Sequence, residues 1–459
     1  MASTVSARLD RLPLSRVHHR LLIIGGLGYT FDGMDAAIVA FLLTDLKRVF
    51  ALSNAQLGLV GSATPFGFLF GAALAGILGD RIGRKKVMMM ALGVYAVFSV
   101  VAALSPSYEV FLIARVLAGV GTGAESAIIA PYLSEFVPAS RRGWFTGALA
   151  GFFSFGFLAA AMIGRFVVPA SDQGWRWAQL ISAVPILLLL WWRRGLKESP
   201  RWLVAQGRAA EADQIVTAME SAVVRQTGRP LPTVPASHSR DEAKPNIGVV
   251  AGLRYLWSSP MRRRTSVTWL IWFVITFSYY GFFSWIPTLL IDKGITVTKS
   301  FNFAIIIYAA QIPGYFSAAW ISEKIDRKNT IAVYLTGSAI AALWLSQTSS
   351  APDILTAGAA LSFFLNGTYA GVYAYTPEVF PTFLRSTGTG LASAFGRIGS
   401  IIAPLIIGVT ATSWGFAGVF GLTTAILAAG VLVTLFFAVS TKGRALEDIN
   451  QRQAAAAGA

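Results

Sequence analysis

Six charged residues stand inside long apolar runs of this 459-residue chain: Asp32, Asp35, Arg115, Glu125, Arg165 and Arg397. In hydrocarbon each would cost about 2.5–3.5 kcal/mol on insertion scales, so each requires a partner or a task. Three are acidic and three basic, which permits paired burial. Asp32 and Asp35 are three residues apart and project from nearly one helical face, where two carboxylates cannot both ionise cheaply. At least one is therefore expected to hold a proton near neutral pH, the chemistry that proton coupling needs. Glu125 and Arg115 are candidates for the same task. The structural alternative is that one aspartate caps a kink beside Gly33 or pairs with Arg115.

Arg397 lies in Phe395-Gly396-Arg397-Ile398-Gly399-Ser400, where the two glycines allow other groups to come close. Its guanidinium is a permanent charge with a planar fork that fits a carboxylate. It is expected to anchor an anionic solute or, alternatively, to pair with Asp32, Asp35 or Glu125. Tyr279, Tyr280, Trp285, Gln311, Asn366, Tyr369 and Tyr373, with Phe31, could sandwich a flat ring and donate hydrogen bonds. Tyr369 and Tyr373 are four apart and share a face. Singly, such aromatics serve packing or interfacial belts just as well. Arg115 and Glu125 are ten residues apart, about 15 Å along a helix, and occupy different depths. Arg165 stands near the end of its run and is expected to snorkel outward.

The elements that must hold these groups follow from composition. The chain is 55% hydrophobic and 13% charged, against about one-quarter charged for a soluble chain. Apolar runs of about 20 residues, each long enough to cross a bilayer as a helix, recur twelve times. They span 20–44, 55–79, 87–105, 109–134, 144–168, 177–193, 266–291, 299–321, 330–348, 354–377, 387–410 and 415–439. The first run is too long for a signal-peptide core and is expected to remain in the mature chain. Of 38 Lys and Arg, 28 fall in the termini and even-numbered loops, 4 in odd-numbered loops and 6 within spans, three of these (Arg20, Arg193 and Lys299) at the first or last residue of a span. The positive-inside rule then places both termini and the 194–265 loop in the cytoplasm. The net charge of +16 is scattered over short loops, which argues against a nucleic-acid partner.

The stretch Gly76-Ile-Leu-Gly-Asp80-Arg81-Ile-Gly83-Arg84-Lys85-Lys86 after the second span aligns with Ile321-Ser-Glu323-Lys324-Ile-Asp-Arg327-Lys328 after the eighth at an offset of 243. At the same offset Glu135, Pro138, Arg142, Gly147 and Gly156 meet Glu378, Pro381, Arg385, Gly390 and Gly399. The chain thus reads as an all-α membrane protein of two six-helix bundles in pseudo-twofold repeat. The expected domains are 1–193, a cytoplasmic linker 194–265, 266–441 and a tail 442–459. An amphipathic helix is expected near 200–225, followed by a polar stretch to about 246 and a basic lead-in at Arg262, Arg263 and Arg264.

Gly76-x3-Asp80-Arg81-x-Gly83-Arg84-Lys85 resembles the signature loop of the major facilitator superfamily, and its degenerate copy stands where that family keeps one. Glu198-Ser199-Pro200-Arg201-Trp202-Leu203, Glu378-Val-Phe-Pro381 and Thr441-Lys442-Gly443-Arg444 resemble the branch holding sugar porters, organic anion and cation transporters and the synaptic vesicle glycoprotein. Span 7 lacks the paired glutamines usual in sugar porters, which disfavours a hexose. Phe31-Asp32-Gly33-Met34-Asp35, with Gly121 to Glu125 and Ser134 to Pro138, resembles bacterial niacin transporters and aromatic-acid proton symporters. The segment around Arg397 is similar to span 11 of organic anion transporters.

The resemblance implies proton-coupled import of a small aromatic monocarboxylate, nicotinate first, by a monomer in a bacterial inner membrane. Its partners would be an organic acid, a proton and the lipid bilayer. Asp80, Arg81, Arg84, Glu135, Arg142 and Glu198, with Glu323, Lys324, Arg327, Glu378 and Arg385, are the expected cytoplasmic gate. The alternatives are an organic cation or drug carrier of the same fold and a transport-inactive receptor or structural protein. The three His lie outside the spans, no metal-ligand pattern occurs and the phosphate-loop spacing is missing, so no metal, nucleotide or other cofactor and no enzymatic activity are expected.

Overall fold

A computed structural model describes residues 2–138, 141–193, 195–233, 249–381 and 384–441. All twelve expected spans fall on helices: α2 (Arg16–Val49), α3 (Asn54–Ile82), α4 (Arg84–Ala103), α5 (Tyr108–Ser134), α6 (Arg142–Val167), α7 (Gly174–Arg193), α11 (Ser259–Asp292), α12 (Val297–Ala309) with α13 (Gln311–Lys324), α14 (Arg327–Gln347), α15 (Ala351–Val379) and α16 (Arg385–Phe437). Hydrocarbon offers the backbone no partner, so continuous helices are the only way these runs satisfy their own N–H and C=O groups.

Two of the spans differ from expectation. Span 8 is broken at Ala310, one turn before Pro313, whose missing N–H and bulky ring interrupt the hydrogen-bond ladder. Spans 11 and 12 form one long element that turns at Gly415, whose φ of 63° and ψ of −161° suit a residue without a Cβ.

The repeat seen in the sequence reappears as paired contacts. A Cβ on Gly156 would lie 2.0 Å from the Thr30 carbonyl oxygen, and one on Gly399 would lie 2.8 Å from that of Phe273. Gly156 and Gly399, like Thr30 and Phe273, are 243 apart. The α2–α6 and α11–α16 crossings thus use the same small-residue seam, which lets the two backbones approach closely. The Arg84–Glu135 ion pair likewise has its displaced copy in Arg327–Glu378, at 3.1 Å.

By internal contacts the chain divides into two compact units, Met1–Ile38 with Ala63–Ile163 and Asp172–Ala243, and Val39–Ser62 with Gly164–Ser171 and Lys244–Ala459. Within the second unit Phe41 packs edge-on to Phe301 and Tyr308. There the Asn54 amide also donates to Thr412 at 3.0 Å.

The first unit contains an element that hydropathy does not reveal, α1 (Ala2–Asp10). The helix expected over 200–225 is two, α8 (Pro200–Ala205) and α9 (Ala209–Thr227), separated at Gly207 with φ 76°. A short helix α10 (Val249–Leu256) leads into α11; 234–248 and the tail 442–459 lie outside the described residues. Val5, Leu9 and Leu12 join Leu203, Val216 and Val223 and the inner ends of α4, α5 and α6 in one apolar cluster. Arg8 and Arg11 both reach Glu220, at 2.7 and 2.6 Å, and Arg8 also pairs with Asp213.

Burial alone would raise the pKa of Glu220, but the hydrogen bonds from Arg8 and Arg11 outweigh it and hold the carboxyl below its ordinary 4.5. A depressed carboxyl stabilises the folded form above its unfolded pKa, and that contribution fades as pH falls through the lower folded value. Amide exchange of Ala2–Asp10, corrected for intrinsic rate, should therefore stay slow from about pH 8 to about pH 5 and quicken only in more acid solution. Arg8→Ala should quicken it throughout.

Candidate functional site

In the first unit, α2 and α5 bring four of the intramembrane charges together. Arg115 Nη1 and Nη2 donate to Asp35 Oδ1 and Oδ2 at 2.7 and 2.8 Å, and Nη2 also reaches the Asp35 carbonyl at 3.2 Å and Thr64 Oγ1 at 2.8 Å. Both side chains are sealed, at 0% and 1% exposure. Removed from water, such a pair survives only with this geometry, because desolvation otherwise exceeds the Coulomb gain. One turn away, Ser126 Oγ donates to Asp32 Oδ2 at 2.6 Å. Asp32, Asp35, Arg115 and Glu125 all lie within electrostatic reach of the Tyr95 hydroxyl on α4. The cluster so described holds three carboxyls and one guanidinium.

In the second unit, Arg397 is half-buried on α16 and its Nη1 donates to the Tyr280 hydroxyl of α11 at 3.2 Å. The Tyr369 and Tyr373 hydroxyls of α15 are also close enough to interact with the guanidinium. Their rings stack, with centroids 6.0 Å apart and planes 27° apart. Tyr279 stands edge-on to Tyr369 at 5.0 Å and donates to Gln311 Oε1 at 3.0 Å; Asn366 hydrogen-bonds the same tyrosine. Tyr280, Tyr369, Tyr373 and Arg397 retain exposed surface, whereas Tyr279, Gln311 and Asn366 are buried behind them. A positive fork ringed by hydroxyls and flat faces can hold an aromatic carboxylate.

Two residues expected in a pocket pack elsewhere. Trp285 is fully buried and donates to the Pro404 carbonyl at 3.0 Å, tying α11 to α16. Phe31 packs against Leu92, Tyr95, Ala96, Ala118 and Ala183 inside the first unit. Arg165 does more than snorkel, since its Nε donates to Asn302 at 2.6 Å. Sequence reasoning missed Thr64, Ser126, Tyr95 and Trp272. Trp272 lies edge-on to Tyr373 at 5.1 Å, seven residues and hence two turns before Tyr279, and that spacing was a usable signal.

Of the expected gate, Arg84 pairs with Glu135, which also accepts from Ser199. Glu198 accepts from the Lys85 backbone N–H at 3.2 Å, and Arg327 pairs with Glu378 at 3.1 Å. Arg81 is exposed, and the Asp80, Arg142, Glu323 and Arg385 side chains lie outside the described residues.

These gate pairs repeat at the 243 offset, but the buried charges do not. Asp32, Asp35, Arg115 and Glu125 correspond to Ile275, Ser278, Gly358 and Thr368, and Arg397 to Ser154. The scaffold therefore folds without them in the opposite half, and they are specific to what each half does.

The sugar (and other) transporter family model matches residues 23–452. This chain is a transporter of the major facilitator superfamily. The transporter is 36% identical to the niacin transporter NiaP of Acinetobacter baylyi over 445 residues, covering 96% of this chain and 99% of that one. It is 29% identical to organic cation/carnitine transporter 7 of Arabidopsis thaliana, covering 97% and 96%. Its fold matches the xylose transporter XylE of E. coli in an inward open conformation, with a TM-score of 0.75 at 20% identity over 95% and 99% of the two chains. Its relatives carry solutes across membranes, and it is not an enzyme.

Removing one partner of a sealed pair strands the other charge, so Arg115→Ala should destabilise the transporter by about 3–5 kcal/mol. The neutral pair Asp35→Asn with Arg115→Gln should melt well above either single variant by tryptophan fluorescence in detergent.

Proposed function

We propose that the transporter imports a small aromatic monocarboxylate together with a proton, with nicotinate the first choice and benzoate-type acids next. The observation that carries this reading is Arg397 set among Tyr280, Tyr369 and Tyr373. The carboxylate would take the guanidinium fork and the ring would lie against the tyrosine faces. The identity to a niacin transporter supports this choice. The proton would go to the acid-rich cluster of the first unit, where Asp32 or Glu125 can be neutralised while Asp35 stays paired to Arg115. Alternating access would then expose both sites first to one side and then to the other, with the gate pairs re-forming at each closure. In this reading the protein works as a monomer in a bacterial inner membrane with both termini in the cytoplasm, which the positive-inside pattern supports for the termini.

An organic cation remains the second reading, favoured by the same surplus of carboxyls and by the similarity to a plant organic cation/carnitine transporter. The ligand's charge decides between them. Purified protein should bind nicotinate more tightly than nicotinamide. Arg397→Lys, which keeps the charge but loses the fork, should weaken nicotinate on the order of tenfold or more. Arg397→Gln should erase the preference for acid over amide. Preferential binding of a quaternary amine by the wild type, with nicotinate indifferent to Arg397, would favour the cation reading. Uptake into liposomes holding only this protein should be measurable, and its absence would point to an inactive receptor.

A further inference from the structure

Behind the Asp35–Arg115 pair, three fully buried polar side chains have polar atoms that no described residue satisfies. The Tyr95 hydroxyl, the Ser99 hydroxyl and both amide atoms of Gln179 have no hydrogen-bond partner among the described residues, with Tyr95 1% and Ser99 and Gln179 0% exposed. Stranding such groups in a dry core is costly, so each calls for an explanation.

They share one place in the first unit. Tyr95 and Ser99 are four apart on α4 and share a face. Arg176, in the first turn of α7, donates to the carbonyl of Ala103 at the end of α4, at 2.7 Å. From that anchor the two helices run back side by side: Gln179 is three residues in, about 4.5 Å, and Ser99 is four, about 6 Å. Ala183, one turn beyond Gln179, packs in the same cluster as Tyr95, so two registers agree. The polar line therefore runs from the Arg176 end of the bundle, past Gln179 and Ser99, to Tyr95.

At its inner end Tyr95 faces Asp35 and Asp32 from α2 and Arg115 and Glu125 from α5. The adjoining α3 supplies uncharged Thr64, and from α7 the line carries Arg176 at the rim and uncharged Gln179. The α6 face contributes no titratable group to these contacts.

We propose that Gln179, Ser99 and Tyr95 form a proton relay through the core of the N-terminal helices, separate from the path of the organic solute. This rests on the proton-coupled reading above. Water entering the line would be held by the Gln179 amide, and the Ser99 and Tyr95 hydroxyls would carry the proton inward. Bridging waters would join the three side chains to one another and to the carboxylate, and along this line each oxygen takes a proton from its outer neighbour as its own passes to the next oxygen, ending on a carboxylate oxygen of Asp32 or Glu125. Rotation of the hydroxyls resets the chain, and no group changes net charge except the terminal carboxyl.

The test uses full-length protein in liposomes and three isosteric variants, Tyr95→Phe, Ser99→Ala and Gln179→Leu. Two transport modes are compared: nicotinate exchange at equal pH, which needs binding and rocking but no net proton, and uphill uptake driven by an inward proton gradient. The relay is supported if exchange stays within about twofold of wild type while gradient-driven uptake falls about tenfold or more. Variants that keep full gradient-driven uptake overturn the relay while leaving the coupling reading intact. A wild type indifferent to the gradient overturns the coupling reading and the relay with it. Thermal melting supplies a readout independent of transport. If the line were permanently dry, losing an unsatisfied polar atom should raise the melting temperature in all three variants, and that result also overturns the relay. An unchanged or lowered melting temperature is expected if water completes these bonds.

Discussion

The ion pair between Asp35 and Arg115 is the constraint from which the rest of the first unit follows. With both groups excluded from water, the pair is stable only while α2, α3 and α5 hold the bidentate geometry and Thr64 accepts a further bond from Nη2. It also fixes the charge arithmetic around it. Asp32 and Glu125 lie in the same cluster, and in the proposed function a proton taken up with the solute neutralises one of them.

The two halves separate scaffold from function. Small-residue crossings and the arginine–glutamate pairs at the helix ends occur twice at one offset, because both halves must pack and latch by the same rules. The buried charges occur once each. Acids cluster with Arg115 in the first half, and the Arg397 guanidinium stands with its tyrosines in the second. Such a division suits a carrier whose two cargoes, a proton and an anion, must be recognised by opposite chemistry yet moved by one motion.

Much of this was legible in the chain. Apolar run lengths located the spans, the repeat located its own duplicated pairs, and the rarity of charge within hydrocarbon singled out Asp32, Asp35, Arg115, Glu125 and Arg397. Other features could not be read because a membrane helix is apolar on all faces, so spacing alone does not say which face meets protein. Phe31 and Trp285, expected in a pocket, also make packing contacts that spacing did not announce. The hydroxyls of Thr64 and Ser126 give no hydropathy signal, although they complete the charged cluster. The α1 helix was invisible for the opposite reason: it is short and polar, and is held by Glu220 more than two hundred residues away.

In the proposed function, binding of the anionic solute draws a proton into the protein. Calorimetry of nicotinate binding in two buffers of different ionisation enthalpy measures that uptake directly. The account predicts close to one proton gained per nicotinate bound near neutral pH, with the gain lost when Asp32 and Glu125 are both made amides. Binding heats that do not depend on the buffer, with nicotinate still bound tightly, would contradict it.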